Sequence, residues 1–372
     1  MKIFKFKDIL PQVPNLLFRG RLRLKFEHLP FEARGITGKK KWNFIAAGLN
    51  QFFLPPRPLG YPVIAQVEPA NVCNLDCPLC FTVSQTSSRP SALLPFETFK
   101  QFIDEVGDYL LLMVLWNWGE PFLNPDIFRI IEYAASKNIL VHSSTNGNVM
   151  FTDEDADKIV DSGLTSLVFG VDGATPETYR AYRKGGDLER VKENIRTLVG
   201  AKRKKSSPTP LLTLRFVAMR HNEAELPLAE KMAQELGVDF FSVKSVDIPP
   251  ELGKSLDQNY RPGNEKYWRY EYLDGTYTRV KKPFVCMRPW KRITLDALGE
   301  VISCEYDYKN LHSFGRMSKG NSVLDLWKSS VSKTFRRHFH KGHNNFYHCK
   351  ACTYKDLRME DCIIEAHPVC AH

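Results

Sequence analysis

Three cysteines that lie close together are the residues of this sequence best suited to metal chemistry. Cys73, Cys77 and Cys80 fall within one stretch of eight residues, so their thiolates can wrap a single iron–sulfur cluster. Three thiolates leave one iron of a [4Fe–4S] cubane open to a substrate or a cofactor. A structural zinc ion needs a fourth ligand nearby, and the nearest histidines, His28 and His142, are far away in the sequence. The spacing therefore favours a cluster with an open iron over zinc.

The loop that carries these cysteines directly follows the first predicted strand of an alternating strand–helix region. Cys-x3-Cys-x2-Cys in this position resembles the signature of the radical S-adenosylmethionine (SAM) superfamily, and the resemblance covers residues 61–246. It implies that SAM chelates the open iron and is cleaved by an electron from the reduced cluster. The resulting 5′-deoxyadenosyl radical then abstracts a substrate hydrogen. The resemblance also implies an electron donor such as flavodoxin or ferredoxin.

A second motif, Trp118-Gly119-Glu120-Pro121, ends the second predicted strand. It resembles the Gly-Gly-Glu-Pro motif of the family, with Trp118 in place of the first glycine. The resemblance implies that Gly119, Glu120 and Pro121 meet the SAM ammonium group through a carboxylate and backbone carbonyls. Gly-Glu-Pro alone would indicate only a turn, and its position at the end of a strand favours the cofactor role.

Three further polar residues are candidates for cofactor binding, and each has a purely structural alternative. Asn146 ends the third predicted strand, where Asn-Gly is also a common turn signal. Asp172 ends the fourth strand, ahead of a helix that Thr175 caps. Arg215 lies on the fifth strand, where it either reaches a cofactor carboxylate or points to solvent. The resemblance implies that Asn146 and Asp172 lie beside SAM.

The elements that must position these residues alternate between strand and helix patterns. The predicted strands are 63–68, 110–117, 139–144, 165–171, 211–218 and 239–245. The predicted helices are 95–107, 125–137, 153–162, 176–199 and 223–236. Strands joined by crossover helices form a parallel sheet with right-handed connections, which predicts an α/β fold with a barrel or a partial barrel. The resemblance to the radical SAM superfamily implies a partial (β/α)6 barrel. Ligands of such a barrel bind at the C-terminal ends of its strands.

The C-terminal region, residues 281–372, contains six of the nine cysteines and little hydrophobic periodicity, so we expect a metal staple there. Cys286 and Cys304 flank a predicted hairpin, and Cys349 and Cys352 form a Cys-x2-Cys pair. This pattern resembles the auxiliary-cluster domains called SPASM and Twitch. One auxiliary [4Fe–4S] cluster held by these four cysteines is the simplest assignment, and a zinc ribbon is the alternative. The cysteines left over are Cys362 and Cys370.

Glu305, which directly follows Cys304, is the candidate catalytic residue. The resemblance implies that a carboxylate near this cysteine deprotonates the substrate radical. Loss of a proton turns a carbon radical into a strong reductant, which can pass its electron to the auxiliary cluster. Strand alternation would instead place Cys304 and Glu305 on opposite faces of the hairpin, so both interpretations stay open here.

The positive charge of the chain is concentrated at its N-terminal end. The 372 residues carry a net charge of +10, and residues 1–60 contain twelve basic and three acidic side chains, a net of +9. Residues 42–53 place Trp42, Phe52 and Phe53 among apolar residues at helical spacing. These features leave two interpretations of the basic amphipathic extension open: it docks on an anionic membrane surface, or it has a solvated face and a helix packed on the barrel. Nucleic acid is the less favoured partner because no recognised module is present.

The resulting organisation has four parts: the extension (1–60), the radical SAM barrel (61–250), a connection (251–280) and the iron–sulfur auxiliary domain (281–372). The function that this implies is a radical SAM enzyme whose auxiliary cluster assists oxidation or binding of a lipid-linked or sugar-like substrate. The alternatives are a SPASM-type peptide maturase and an iron–sulfur enzyme that modifies nucleic acid. The cysteine usage and the lack of an apolar leader predict a cytoplasmic protein, peripheral at the inner membrane face if the extension docks there.

Overall fold

One ten-stranded sheet organises the chain in the computed structural model, which describes residues 10–84, 89–248, 258–276, 278–350 and 352–369. In those residues the strands, in chain order, are β1 (Leu22–Phe26), β2 (Leu29–Ala33), β3 (Ile64–Val67), β4 (Leu112–Leu115), β5 (Leu140–Thr145), β6 (Ser166–Gly170), β7 (Leu211–Ala218), β8 (Phe240–Ser245), β9 (Arg292–Leu295), β10 (Glu300–Ile302), β11 (Ser313–Arg316) and β12 (Ile363–Pro368). The sheet order is β11-β10-β9-β3-β4-β5-β6-β7-β8-β12, and β1 and β2 form a separate pair.

Helices connect the strands and cover the outer face of the sheet. The described α-helices are α1 (Val13–Arg19), α2 (Gly38–Phe53), α3 (Phe81–Ser84), α4 (Phe96–Val106), α5 (Ile127–Ser136), α6 (Asp153–Asp161), α7 (Pro176–Tyr182), α8 (Leu188–Lys204), α9 (Leu226–Leu236), α10 (Arg288–Lys291), α11 (Val323–Lys328), α12 (Ser330–Lys341) and α13 (Tyr347–Lys350). Short 3-10 helices cover Leu10–Gln12, Pro121–Leu123, Glu223–Glu225, Glu265–Tyr267 and His343–Asn345.

The six strands β3 to β8 run parallel to one another, as expected for a partial barrel. Residues of β3, β4 and β6 are buried on both faces, which is typical of parallel sheets with a layer on each side. The α/β class and the partial barrel are therefore confirmed, with small differences at the strand ends. The capping box of α6, in which Thr152 and Asp155 bond to each other's backbone, also forms.

The predicted helix 176–199 is two helices in the structure. α7 ends at Tyr182, and the chain then turns through Gly185, whose φ of +81° favours glycine. The side chain of Asp187 accepts a hydrogen bond from the backbone of Glu189 and begins α8. This break matters for the site because it places Arg183 at the end of a helix rather than in its middle.

The N-terminal unit, residues 10–60, packs into the barrel rather than lying beside it. Strands β1 and β2 form a hairpin whose tip is the two-residue turn Glu27-His28, and both tip residues have positive φ. The apolar side of the hairpin packs on Ile64, Leu112 and Leu140, the first residues of three barrel strands. The hairpin therefore enters the barrel from the N-terminal end of its strands, because its alternating apolar residues find their partners there.

The C-terminal region shares the sheet of the barrel. β9 pairs parallel with β3, and β10 and β11 continue antiparallel beyond it. At the opposite edge of the sheet β12 pairs antiparallel with β8. Residues after 281 therefore extend both edges of the barrel sheet and fix the cysteines of this region against the barrel. None of the described helices combines the length and the apolar character that crossing a membrane would require.

Candidate active site

The loop of Cys73, Cys77 and Cys80 and the Trp118–Pro121 turn form one unit at the C-terminal end of β3 and β4. The backbone N–H of Glu120 donates to the carbonyl of Val72 at 2.8 Å. Gly119 has a φ of +111°, and a Cβ at this position would lie 2.4 Å from the carbonyl oxygen of Ala70. Only glycine permits this approach, so the Trp118–Pro121 turn packs directly against the chain segment that leads into the cysteine loop.

Glu120 and Asn146 are joined by hydrogen bonds beside this loop. The buried Glu120 carboxylate accepts hydrogen bonds from the Thr145 hydroxyl at 2.9 Å and from the backbone N–H of Asn146 at 2.7 Å. The Asn146 side-chain amide lies 3.5 Å from Cys73 Sγ and donates to Asn74 Oδ1 at 2.8 Å. Burial raises the pKa of Glu120 to about 7. The two predicted cofactor-binding residues and the first cysteine are thus contiguous.

Asp172 is buried at the end of β6, and both of its carboxylate oxygens are in use. One accepts from the Arg183 Nε at 2.7 Å, and the other accepts from the backbone N–H of Val217 at 2.8 Å. Burial raises the pKa of the Cys77 thiol to about 11, and the positive charge of Arg183 acts in the opposite direction. Asp172 therefore fixes a guanidinium group near the cysteine loop.

Arg215 lies inside the barrel, where its partner is a carboxylate of the chain itself. Its Nη1 is 2.6 Å from Glu27 Oε2, and the same oxygen is 3.4 Å from His142 Nε2. Burial opposes ionisation of Glu27, yet Arg215 and His142 hold the pKa of this carboxyl well below its usual range. Arg215 is buried and does not point to solvent. It is also not among the described residues that line the cavity, because Glu27 of the hairpin tip contacts its guanidinium group.

A cavity of about 320 Å³ occupies the barrel above this hairpin tip. Cys77 and Cys80 line one side, and Glu305, Tyr306 and Tyr354 line another. The remaining wall and floor carry aromatic and charged groups, namely Phe26, Glu27, Trp116, Trp118, Asp172, Arg183, Lys244, Asp247 and Arg292. The first cysteine set and the C-terminal region therefore face the same polar and aromatic chamber.

The four cysteines assigned to the auxiliary cluster line a second, smaller cavity. Tyr306 and Tyr354 line both cavities and form the wall between them. Burial raises the pKa of the Cys286 thiol to about 11, and the neighbouring Arg288 acts in the opposite direction. Cys362 is buried beside Tyr354 and does not line this cavity, whereas Cys370 lies outside the described residues.

Two observations show that this cavity suits a bound group. His348 lines it and is buried, yet neither of its ring nitrogens has a hydrogen-bond partner in the described structure. The thiols of Cys286, Cys304, Cys349 and Cys352 all line the same cavity, and cysteine thiolates are the ligands that hold iron–sulfur clusters. The residues present therefore fit an iron–sulfur cluster.

Glu305 lines the larger cavity, next to Cys304 of the smaller one, and is paired with two guanidinium groups. Its carboxylate contacts Arg288 and lies 2.7 Å from Arg292 Nη1. Although burial opposes ionisation, these two cations hold the pKa of Glu305 to about 2. Cys304 Sγ is 3.4 Å from the same carboxylate, because β10 ends at Ile302 and strand alternation no longer applies. Glu305 thus meets Cys304 directly.

Several residues of the site were not predicted from the sequence. Arg288 and Arg292 precede the hairpin turn and belong to no recognisable sequence motif. Lys244, which lines the larger cavity, is a single basic residue on a buried strand. The position of Glu27 in a hairpin turn was predictable from the sequence. The alternation of β1 continues after Glu27-His28 in Leu29, Phe31 and Ala33, which together indicate a hairpin rather than one strand.

Two family models match the chain. The model described as the radical SAM superfamily matches residues 67–227, and the SPASM model, described as an iron–sulfur cluster-binding domain, matches residues 286–353. The two matched segments contain the two cysteine sets whose surroundings are given above, and they are separated by the last barrel strand and the connection.

Relatives and solved structures agree with these matches. The "AdoMet-dependent heme synthase" of Methanosarcina barkeri is 31% identical over 268 residues, covering 71% of this chain and 73% of that protein. "Mycofactocin maturase MftC" of Mycobacterium tuberculosis is 29% identical over 294 residues, covering 74% and 72%. Streptococcus suis SuiB, in a crystal structure with precursor peptide SuiA, has a TM-score of 0.55 at 13% identity, covering 80% of this chain and 71% of that one. This last likeness is one of fold alone.

Proposed function

The chain belongs to the radical SAM superfamily and carries a SPASM domain, and from this premise we propose that it oxidises a substrate held in the cavity between its two cysteine sets. It is an enzyme that uses a [4Fe–4S] cluster, SAM and auxiliary iron–sulfur. The observation that carries the proposal is the single chamber lined by Cys77 and Cys80 on one side and by Glu305, Tyr306 and Tyr354 on another.

The proposed ligands follow from the two cysteine sets. Cys73, Cys77 and Cys80 hold the cluster that binds SAM, with Gly119, Glu120, Pro121 and Asn146 around the cofactor. The proposed ligands of one auxiliary [4Fe–4S] cluster are Cys286, Cys304, Cys349 and Cys352. When bound, the first cluster and SAM supply the 5′-deoxyadenosyl radical that takes a hydrogen atom from the substrate. Asp172 keeps Arg183 at the chamber wall, where its charge balances the thiolates.

In this oxidation the substrate loses two electrons and two protons. One electron and one proton leave together as the abstracted hydrogen atom. An auxiliary cluster held by Cys286, Cys304, Cys349 and Cys352 would supply the acceptor for the remaining electron, and the remaining proton would pass to a base or to water. The sequence suggested Glu305 as this base. We propose instead that Glu305 orients Arg288 and Arg292, because its carboxylate is already paired with both and has a pKa of about 2.

The nature of the substrate is the finer part of the proposal. Aromatic and charged side chains line the chamber together, which suits a polar organic molecule of the sugar-like class. A peptide is the second candidate, because relatives named mycofactocin maturase and PqqA peptide cyclase cover more than 70% of this chain. The electron donor that we propose is a flavodoxin or ferredoxin, and an anionic membrane surface is the proposed docking partner of the N-terminal unit.

The test is a comparison of metabolites between a deletion strain and its parent under anaerobic growth. A compound that accumulates in the deletion strain is then incubated with the reconstituted enzyme, SAM and reductant. We expect it to lose hydrogen and to transfer deuterium from a labelled C–H bond into 5′-deoxyadenosine. Deuterium transfer without net oxidation of the compound would contradict the role given to the auxiliary cluster, and transfer from a peptide alone would favour the maturase.

A further inference from the structure

Helix α2 leaves a row of large apolar side chains in solvent. Trp42 is 72% exposed, Phe52 67% and Phe53 70%, and Ile45 and Leu49 lie between them at helical spacing. The opposite side of the same helix is fully engaged, because Lys40, Asn43, Ala47 and Asn50 are buried. The outward row, with Phe18 beside it, is therefore an apolar face that stays largely exposed in the described part of the chain; we call it the α2 face.

Helix α1 extends this face, since Lys41 Nζ donates to the carbonyl of Leu17 at 2.7 Å and ties the two helices together. Phe18, the next residue, is 86% exposed. Large apolar patches of this kind in a protein surface mark an interaction site.

The N-terminal unit that carries the α2 face is also strongly basic. On β1 the side chains of Arg23 and Lys25 are exposed while the alternate residues are buried, and Arg19, Arg21 and Arg57 are exposed as well. The first sixty residues carry a net charge of +9 out of the +10 of the whole chain. The complementary partner must therefore be both apolar and strongly anionic.

We infer that the α2 face inserts into the headgroup region of an anionic membrane, with the basic side chains against lipid phosphates. A second copy of the chain would bring two surfaces of high positive charge together, which electrostatic repulsion opposes. Nucleic acid supplies the anionic charge but no apolar phase for five large side chains on a convex helix. A lipid surface supplies both, and this inference does not depend on the reaction proposed above.

The position of α2 fixes the orientation of the docked protein. Asn43 Nδ2 donates to the carbonyls of Tyr61 and Tyr109, and Lys40 Nζ donates to those of Lys137 and Asn138. All four carbonyls precede barrel strands, so α2 lies at the N-terminal end of the barrel. The cysteine loop and the chamber lie toward the other end. Docking therefore keeps the chamber mouth away from the lipid, so the substrate enters from the aqueous side.

Flotation of the reconstituted full-length protein with vesicles tests this inference. The vesicles contain either phosphatidylcholine alone or phosphatidylcholine with 30% phosphatidylglycerol, about the anionic fraction that makes polybasic attraction strong. We expect binding to the anionic vesicles only, weakened by salt. The double variant Phe52→Glu/Phe53→Glu should bind at least ~10-fold more weakly. The matched control is Leu228→Glu, which changes an exposed leucine on α9 and should bind like the parent.

Several outcomes would overturn the inference. Equal binding to both vesicle types would remove anionic lipid as the partner, and no binding to either would remove the membrane altogether. The same loss of binding in the Leu228→Glu control would show that the α2 face is not the contact. The oligomeric state is measured in parallel by light scattering. A dimer that the Phe52→Glu/Phe53→Glu variant converts to a monomer would assign the α2 face to a second copy instead. Cleavage of SAM by the double variant shows that it is folded.

Discussion

The carboxylate of Glu27, at the tip of the N-terminal hairpin, lies 2.6 Å from the guanidinium of Arg215 on the fifth barrel strand. Both side chains are buried, and His142 closes the other side of the pair at 3.4 Å. The contact joins two parts of the chain that are 188 residues apart and places the hairpin tip at the floor of the chamber. The N-terminal unit is therefore part of the site rather than an appendage to it.

Replacement of Glu27 by Gln should destabilise the protein by about 3–5 kcal/mol, because it leaves the Arg215 guanidinium buried without a counter-charge. The matched control is Glu32→Gln on the same hairpin, where the partner Arg34 is exposed and the expected loss is below about 1 kcal/mol. The thermal unfolding midpoints of the cluster-loaded proteins, measured anaerobically, give the comparison. Equal midpoints for the two variants would mean that the Glu27–Arg215 pair contributes little.

Replacement of Gly119 by Ala should remove the first cluster while sparing the auxiliary one. The added Cβ would lie 2.4 Å from the Ala70 carbonyl and force the turn off the cysteine loop. We expect the iron content to fall by about four per chain and SAM cleavage to be lost. The control is Gly200→Ala in α8, where a Cβ meets nothing within 4 Å. Full iron content in the Gly119 variant would show that the turn tolerates the side chain.

The stability of the protein should fall as the pH rises from about 4.5 to about 7 through the ionisation of Glu120. Burial raises the pKa of this carboxyl to about 7, so in this window the unfolded chain releases the proton and the folded chain retains it. The folded state binds more protons, and raising the pH therefore favours unfolding. Glu120→Gln removes this contribution. Between about pH 4 and about pH 7.5 the unfolding midpoint of the parent should fall relative to that of the Glu120→Gln variant, and a difference that stays constant over this range would exclude the effect.

Replacement of Glu305 by Gln should raise the reduction potential of the auxiliary cluster, because it removes a negative charge beside Cys304 and leaves Arg288 and Arg292 unbalanced. A unit charge at close range in a protein interior gives a shift on the order of 50–100 mV. A redox titration followed by electron paramagnetic resonance measures it, with Glu300→Gln on the same hairpin as control. An unchanged potential with complete loss of substrate oxidation would instead support Glu305 as the proton acceptor.

The barrel and the two cysteine sets were predictable because their signals are local. Each strand carries its own apolar run, and each motif follows the strand that positions it, so strand order alone brings Cys73, Glu120, Asn146 and Asp172 to one edge of the sheet. The α/β class, the radical SAM and SPASM assignments and the cofactors are confirmed. The ligand and SAM-contact roles of the individual residues stay predictions.

The rest depended on contacts between distant parts of the chain. Arg215 was a candidate cofactor ligand because no neighbouring residue in the sequence indicates that Glu27 pairs with it inside the barrel. The surroundings of Glu305 follow from Arg288 and Arg292, whose approach depends on β9 joining β3. Residue spacing within one segment does not predict contacts between segments that are far apart in the sequence. The basic charge of the N-terminal unit was evident from composition, but only the structure separates its buried apolar face from its exposed one.

Iron content and 5′-deoxyadenosine, measured on the same anaerobically reconstituted preparations of three proteins, test the central claim most directly. For the parent we expect about eight irons per chain and formation of 5′-deoxyadenosine after reduction in the presence of SAM. Cys77→Ser should keep about four irons and form no 5′-deoxyadenosine, whereas Cys349→Ser should keep about four and still form it. Loss of SAM cleavage in Cys349→Ser, or its retention in Cys77→Ser, would contradict the division of roles between the two cysteine sets.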